Sequence, residues 1–76
     1  MKLAEMGKGD RGVIVKIEGK SLEMALLRLG LVPGDSFEVA DLAPMGGPMA
    51  LQVRGTKIAL RRNNAHHVTV KFDTTI

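Results

Sequence analysis

From Ser36 onward, apolar side chains recur at every second position, which is the spacing of a β-strand with one buried face. A helix would place its apolar residues three or four positions apart, so this period excludes a helix over most of the second half. Connections rich in glycine and proline, such as residues 43–48, separate the apolar runs. We therefore predict four strands here, at residues 36–42, 49–53, 57–61 and 68–72.

The sequence also predicts the structure of the segments that connect and follow these strands. Gly55 and Thr56 form a tight connection between the second and third strands, which predicts a β-hairpin. Residues 62–65 are predicted to form a single helical turn, and residues 73–76 a frayed tail.

The first half of the chain adds one more strand. In residues 11–18, Val13, Val15 and Ile17 alternate, which predicts a strand with these side chains on one face. The sequence therefore predicts five strands in all.

A short helix follows this first strand. We predict it at residues 22–29, with Ser21 as its N-cap and Gly30 as a left-handed C-cap. Pro33 and Gly34 then suit the central positions of a type II turn. The side chains expected to face the core share one side of the helix, namely Leu22, Ala25, Leu26 and Leu29.

The length of the chain limits the size of its core. With 76 residues we expect a single domain, residues 1–76, that buries only about 60% of the surface its unfolded chain exposes. The chain has no cysteine, so neither a disulfide nor a thiolate metal site can stabilise it. Short strands, glycine and proline turns and one short helix predict a mainly β fold, as a small barrel or a sandwich.

Hydropathy and charge narrow the class of protein further. The longest apolar runs are far shorter than the roughly 20 residues of a membrane span, so we expect a soluble intracellular protein without membrane insertion. The formal net charge is +3, with both signs interspersed along the chain. This surplus fits either an ordinary solvated surface or a basic patch for an acidic partner.

No combination of residues in the sequence predicts catalysis. Gly7, Gly9 and Gly12 match the spacing of a dinucleotide-binding loop, but that loop opens a helix, whereas a strand follows here. His66 and His67 are adjacent and diverge on a strand or a helix, so they do not easily share one metal ion. Neither serine is accompanied by the acid and base residues that a catalytic nucleophile requires. We expect no enzyme activity, no cofactor and no metal ligand.

Two longer motifs carry a resemblance to a known family. Residues 27–34 read LRLGLVPG and residues 55–62 read GTKIALRR, with residues 6–9 and 12–17 before them and 68–70 after them. In this order and at this separation they resemble the FeoA family, and the match runs from about residue 3 to residue 70.

The resemblance implies a five-stranded SH3-like barrel with one short helix after the first strand. It also implies a small cytoplasmic accessory protein of ferrous iron uptake that contacts FeoB, the membrane iron permease with a GTP-binding domain. The same fold occurs as a C-terminal domain of iron-dependent repressors, but this chain has no helix–turn–helix region. The resemblance does not predict the contact residues, the oligomeric state, or whether the permease is activated or inhibited.

The helix offers an apolar candidate surface for a partner. With the predicted core face turned inward, Met24 and Leu27 fall on the opposite side of the helix, and we group Leu31 with them. The alternative is that these side chains pack within the domain, under the turn at Leu31 or the loop at residues 43–48.

A second candidate surface is basic, and its members are Arg54, Lys57, Arg61 and Arg62 together with the two histidines, His66 and His67. The alternative for these residues is an ordinary solvated rim.

Three other functions compete with a contact to a permease. A small basic barrel can bind nucleic acid, but such barrels stack bases on exposed aromatics, and we expect Phe37 and Phe72 to lie in the core. A regulatory domain in iron-dependent transcription control is the related alternative. Direct carriage of ferrous iron would require a cluster of histidine and carboxylate ligands, which the sequence does not show.

Overall fold

The computed structural model describes residues 1–73, and its strands form one antiparallel sheet of five members. All five predicted strands are present, so the prediction of a mainly β fold is confirmed. In chain order the elements are a 3-10 turn at Leu3–Glu5, strand β1 at Arg11–Ile17, helix α1 at Lys20–Leu29, strands β2 at Ser36–Leu42, β3 at Met49–Val53 and β4 at Thr56–Leu60, helix α2 at Arg62–Ala65, and strand β5 at Val68–Phe72.

The strands lie in the order β4-β3-β2-β1-β5, and every neighbouring pair is antiparallel. Within residues 1–73 no ladder joins β4 to β5, so these two are the outer strands of the sheet. Of the predicted tail, only Asp73 lies within the described residues, and its N–H donates to the Arg11 carbonyl at 3.0 Å.

The inward faces of all five strands meet in one core, joined by residues from the 3-10 turn, α1 and α2. Phe37 belongs to this core, as predicted. The prediction for Phe72 is wrong, because this side chain ends the outer strand β5 and is half exposed. The largest fully buried side chains are Leu3, Ile14, Leu31, Val39, Met49, Leu51, Val68 and Val70.

The predicted face of β1 is wrong because the strand contains a bulge. The register of β1 against β5 shifts between Ile14 and Lys16, which leaves Val15 as the extra residue. Ile14 and Ile17 are therefore the buried side chains of β1, whereas Val15 is exposed and Val13 only half buried. A strict alternation could not predict this, because one inserted residue reverses the faces on its two sides.

Helix α1 begins earlier than predicted and contacts the core through a narrower stripe. Its N-cap is Gly19 rather than Ser21, which lies inside the helix and is exposed. Of the four side chains expected to face inward, only Leu26 is fully buried and Leu22 is half buried. Ala25 and Leu29 are exposed, so the core covers only part of the predicted face.

The end of α1 forms the predicted left-handed cap. Gly30 has φ +94°, its N–H donates to the Leu27 carbonyl at 3.0 Å, and the Leu31 N–H donates to the Leu26 carbonyl at 2.9 Å. This is the hydrogen-bond pattern of a Schellman motif, in which the residue after the cap also packs against the last turn. Leu26 and Leu31 accordingly lie in the same core cluster.

The predicted hairpin is confirmed, with its loop one residue earlier than expected. Val53 pairs with Thr56, so Arg54 and Gly55 are the two loop residues. Both have positive φ, +48° and +78°, as the type I′ turn of a two-residue hairpin requires. Strand β4 therefore starts at Thr56 instead of Lys57.

Two leucines in α1 test the corrected core face. We expect Leu26→Ala to lower the free energy of unfolding by about 2–5 kcal/mol, because it empties a fully buried site. Leu29→Ala is the matched control, since this side chain is 54% exposed and its loss should change stability by no more than about 0.5 kcal/mol. Urea unfolding followed by circular dichroism measures both, and equal losses would contradict the orientation of α1 described here.

Candidate functional site

The glycine motif near the N-terminus shapes the entry into β1. The Gly7 N–H donates to the Asp10 carboxylate at 2.7 Å, which closes a turn directly before the strand. A Cβ on Gly12 would lie 2.7 Å from the Lys71 carbonyl oxygen and 3.0 Å from Phe37 Cζ. Gly12 therefore permits the close approach of β5 and of the Phe37 ring. The first glycine of the motif thus closes a turn and the last one allows close packing, so both have structural roles.

The two histidines lie between α2 and β5 and are exposed. Within residues 1–73 no three histidine, aspartate or glutamate side chains lie close enough together to hold a metal ion. The His67 carbonyl accepts from the Glu18 N–H at 2.8 Å, and Lys2 Nζ lies 3.0 Å from the Glu18 carboxylate. The hydrogen bond and charge of Lys2 lower the pKa of Glu18, so this carboxylate serves an ion pair on the surface.

The outer side of α1 presents large apolar side chains to solvent. Met24 is 48% exposed and Leu27 is 52% exposed, so two of the three apolar residues predicted for a partner surface are accessible. Leu29, which the helical pattern assigned to the core, is 54% exposed, but it lies on the Leu26 side of the helix and not beside Leu27. No local signal identifies this exposure, because the helical period gives the side that faces the core and not how much of that side the core covers.

The prediction for Leu31 is corrected by the cap of α1. This side chain is fully buried, because the Schellman motif turns the residue after Gly30 inward onto Leu26. Leu31 therefore stabilises the pose of α1, and its side chain is not accessible to a partner.

Arg54 connects the β3–β4 hairpin to α1. Its guanidinium donates to the Asp35 carboxylate at 2.5 Å and to the Gly30 carbonyl at 2.6 Å. The Gly30 carbonyl follows the last turn of α1, where the partial negative charge of a helix end attracts cations. Sequence reasoning placed Arg54 on an open basic surface, whereas the structure commits its charge to contacts within the domain.

Asp35 is the nearly buried partner in this connection. Its side chain is only 12% exposed, and its second carboxylate oxygen accepts from the Val32 N–H at 2.9 Å. The hydrogen bond from Arg54, supported by that from Val32, lowers the pKa of the Asp35 carboxyl. The charged form of Asp35 therefore holds the turn after α1 and the hairpin loop together.

The remaining basic candidates differ in exposure. Lys57 and Arg61 are exposed at the two ends of β4, and neither has an ion-pair partner among residues 1–73. Arg62 is half buried at the start of α2, and its Nε is buried without a hydrogen-bond partner within the described chain. Of the four basic residues, Lys57 and Arg61 are thus the exposed ones without an ion-pair partner among residues 1–73.

Comparison with known families and structures gives this arrangement a context. The model of the FeoA domain family matches residues 1–72. The chain belongs to the FeoA family. A solution structure of the FeoA protein from Chlorobium tepidum is 34% identical and superposes with a TM-score of 0.86, covering 95% of this chain and 70% of that one. A crystal structure described as an iron uptake regulatory protein (FeoA) is 35% identical with a TM-score of 0.82, covering 95% and 94% of the two chains.

A curated relative joins the FeoA domain to a second protein. It is an Fe(2+) transport protein A/Fe(2+) transporter FeoB fusion protein from Porphyromonas gingivalis (strain ATCC BAA-308 / W83), 32% identical over 73 residues. The match covers 95% of this FeoA chain but only 9% of the relative, so the chain spans about a tenth of the length of that protein.

The comparisons confirm the SH3-like fold that the resemblance implied, with five antiparallel strands and one short helix after β1. No helix within residues 1–73 has the length and apolar character needed to cross a membrane.

The Arg54–Asp35 connection predicts a pH dependence of stability. Because the pKa of Asp35 is lowered in the folded state, its contribution is present above the unfolded pKa of about 3.9 and is lost as the pH falls through the folded value. We expect Asp35→Asn to cost about 1 kcal/mol at pH 7, and the difference from wild type to shrink in strong acid. Urea unfolding at pH 7 and below pH 3 measures it, and a difference that persists unchanged in acid would contradict the assignment.

A second prediction concerns ferrous iron itself. Because His66 and His67 have no third ligand nearby among residues 1–73, we expect anaerobic calorimetric titration with micromolar Fe²⁺ to show no saturable heat. His66→Ala and His67→Ala should leave the titration unchanged. A stoichiometric heat that disappears in either variant would establish a metal site that this reasoning excludes.

Proposed function

We propose that this FeoA chain is a cytoplasmic accessory domain of ferrous iron uptake that binds a FeoB-type membrane iron transporter. The bacterial relative that carries both names in one chain supports this partner, because fusion keeps the two parts at high effective concentration. The proposed action is protein–protein contact and not catalysis, which agrees with the surface ion pairing of Glu18 and the structural use of the glycine motif.

The observation that carries the proposal is the apolar outer side of α1. Met24 and Leu27 lie three residues apart, so they are neighbours on this side of the helix, and each is about half exposed. Single apolar side chains are common on protein surfaces, but two large neighbouring ones on one short helix form a patch that a partner can cover. The flexible methionine suits a surface that adapts to a partner.

The pose of this helix is held from two sides, which makes it a defined docking element. Leu26 and Leu31 anchor its inner side and its C-terminal end in the core. Arg54 binds the Gly30 carbonyl directly after its last turn. A docking helix that is fixed before binding loses little conformational freedom in the complex, so more of the contact energy appears as affinity.

Nucleic acid is the competing partner for a small basic barrel. The half-exposed Phe72 provides one aromatic surface, but proteins that bind single strands stack successive bases on several aromatics. Phe37 is buried, and the chain contains no other aromatic residue. The structure therefore favours the apolar side of α1 over a nucleic-acid groove.

Capture of a FeoB-type transporter from native membranes tests the proposal. We expect the tagged wild-type chain to retain the transporter, and Met24→Asp or Leu27→Asp to lower its recovery about tenfold or more, because a carboxylate must then be desolvated in the contact. Met45→Asp is the matched control, since Met45 is fully exposed in the loop before β3 and lies outside α1. It should bind like wild type.

Two results would contradict the proposal. One is recovery of the transporter that is equal for wild type and both α1 variants, which would place the contact elsewhere. The other is recovery of nucleic acid without the transporter, with salt-sensitive binding. Circular dichroism of each variant confirms that α1 is still folded before the recoveries are compared.

A further inference from the structure

The two outer strands of the sheet differ in whether their free edges are covered. The outer edge of β5 is met by the N-terminal segment, where the Val70 N–H donates to the Met1 carbonyl at 2.8 Å and Lys2 forms a bridge with Thr69. Strand β4 pairs with β3 on one side, and no residue in the described part of the chain pairs with its other side. Among residues 1–73, the edge of β4 is therefore the open edge of the sheet.

The hairpin register shows which backbone groups this edge presents. In a two-residue hairpin the pair that closes the loop, here Val53 and Thr56, is hydrogen bonded, and such pairs alternate along the ladder. Thr56, Ile58 and Leu60 therefore bond to β3. The N–H and C=O groups of Lys57 and Ala59 point away from the sheet, where they can pair with another strand.

The charges beside this edge have one sign. Lys57 lies within β4 and Arg61 directly follows it, and both side chains are exposed. Arg11 on β1 is neutralised by Glu38 of β2 at 3.1 Å. Lys57 and Arg61 have no ion-pair partner among residues 1–73, so the open edge is flanked by two uncompensated positive charges.

We propose that the open edge of β4 binds an extended acidic segment of a partner protein, which adds a sixth strand to the sheet. Backbone bonds to Lys57 and Ala59 supply the pairing, and carboxylates of the segment face Lys57 and Arg61. This surface is separate from the outer side of α1, and it does not depend on the function proposed for that helix.

The same charges disfavour a second copy of the chain as the occupant. A symmetric pairing of β4 with β4 would bring Lys57 and Arg61 of both copies along one short ladder, where like charges repel. A lysine on an edge strand also opposes unselective pairing with apolar strands. An acidic segment turns that repulsion into attraction, so the charge selects the partner.

A peptide titration with the full chain tests this inference. The probe is a ten-residue peptide of alternating glutamate and valine, and the readout is amide shifts of the ¹⁵N-labelled protein together with fluorescence anisotropy of the labelled peptide. We expect saturable binding with the largest shifts at Lys57 and Ala59 and slower hydrogen exchange of these two amides. Lys57→Glu should weaken binding at least about tenfold, which is about 1.4 kcal/mol.

Matched variants separate the edge from general charge effects. Lys71→Glu makes the same charge change on β5, whose edge is covered, and should weaken binding less than threefold. Ala59→Pro removes one outward N–H without touching the β3 ladder and should abolish binding while the fold is retained. If that variant does not fold, the Lys57→Glu and Lys71→Glu pair still decides the question. Leu27→Asp should bind the peptide like wild type, which separates this surface from α1.

The inference is overturned if the two charge variants weaken binding equally, or if a lysine–valine peptide binds as tightly as the acidic one. Shifts centred on α1, or no saturable binding at all, overturn it as well. A single-stranded oligonucleotide that moves the Lys57 and Ala59 amides more strongly than the peptide would identify a different class of ligand. Dimerisation through β4 that the peptide does not displace would show that a second copy occupies the edge.

Discussion

Leu26 joins α1 to the core that the inward faces of all five strands share, and the exposure of the helix follows from this single deep anchor. Leu26 is the one leucine of the helix that is fully buried, and Leu31, which follows the C-cap, is the next buried side chain. The side chains one turn away then remain in solvent. The apolar patch of Met24 and Leu27 is thus a direct consequence of their position on the side of α1 opposite Leu26.

Most of the fold could be predicted from the sequence, because strands with one buried face leave a period of two that tertiary structure rarely hides. Strand β2 and strand β3 have the predicted bounds, and α2 occupies the predicted residues 62–65. The face of β1 could not be predicted, since a bulge at Val15 depends on its pairing with a strand more than fifty residues away. The width of the buried stripe of α1 could not be predicted either, because a helical pattern gives the side that faces the core but not how much of that side the core covers.

The candidate surfaces show the same division between local and long-range information. The helical period alone places Met24 and Leu27 opposite the core face, and of the two alternatives that the sequence leaves open, the exposed one is observed. The burial of Leu31 follows from a local cap, and its signal, a glycine directly after the last leucine of the helix, was present in the sequence. The commitment of Arg54 to Asp35 and Gly30 joins residues 19 and 24 positions apart, so only the folded chain reveals it.

That commitment has a thermodynamic consequence. The guanidinium of Arg54 is the shared element between the end of α1 and the hairpin that leads into β4. A ligand that displaces α1 must break the bond to Gly30, and this loosens the loop that positions β4. Linkage is reciprocal, so a strand bound at β4 would change the free energy needed to move α1 by the same amount. One side chain therefore gives two separate surfaces of a very small domain a route to energetic coupling.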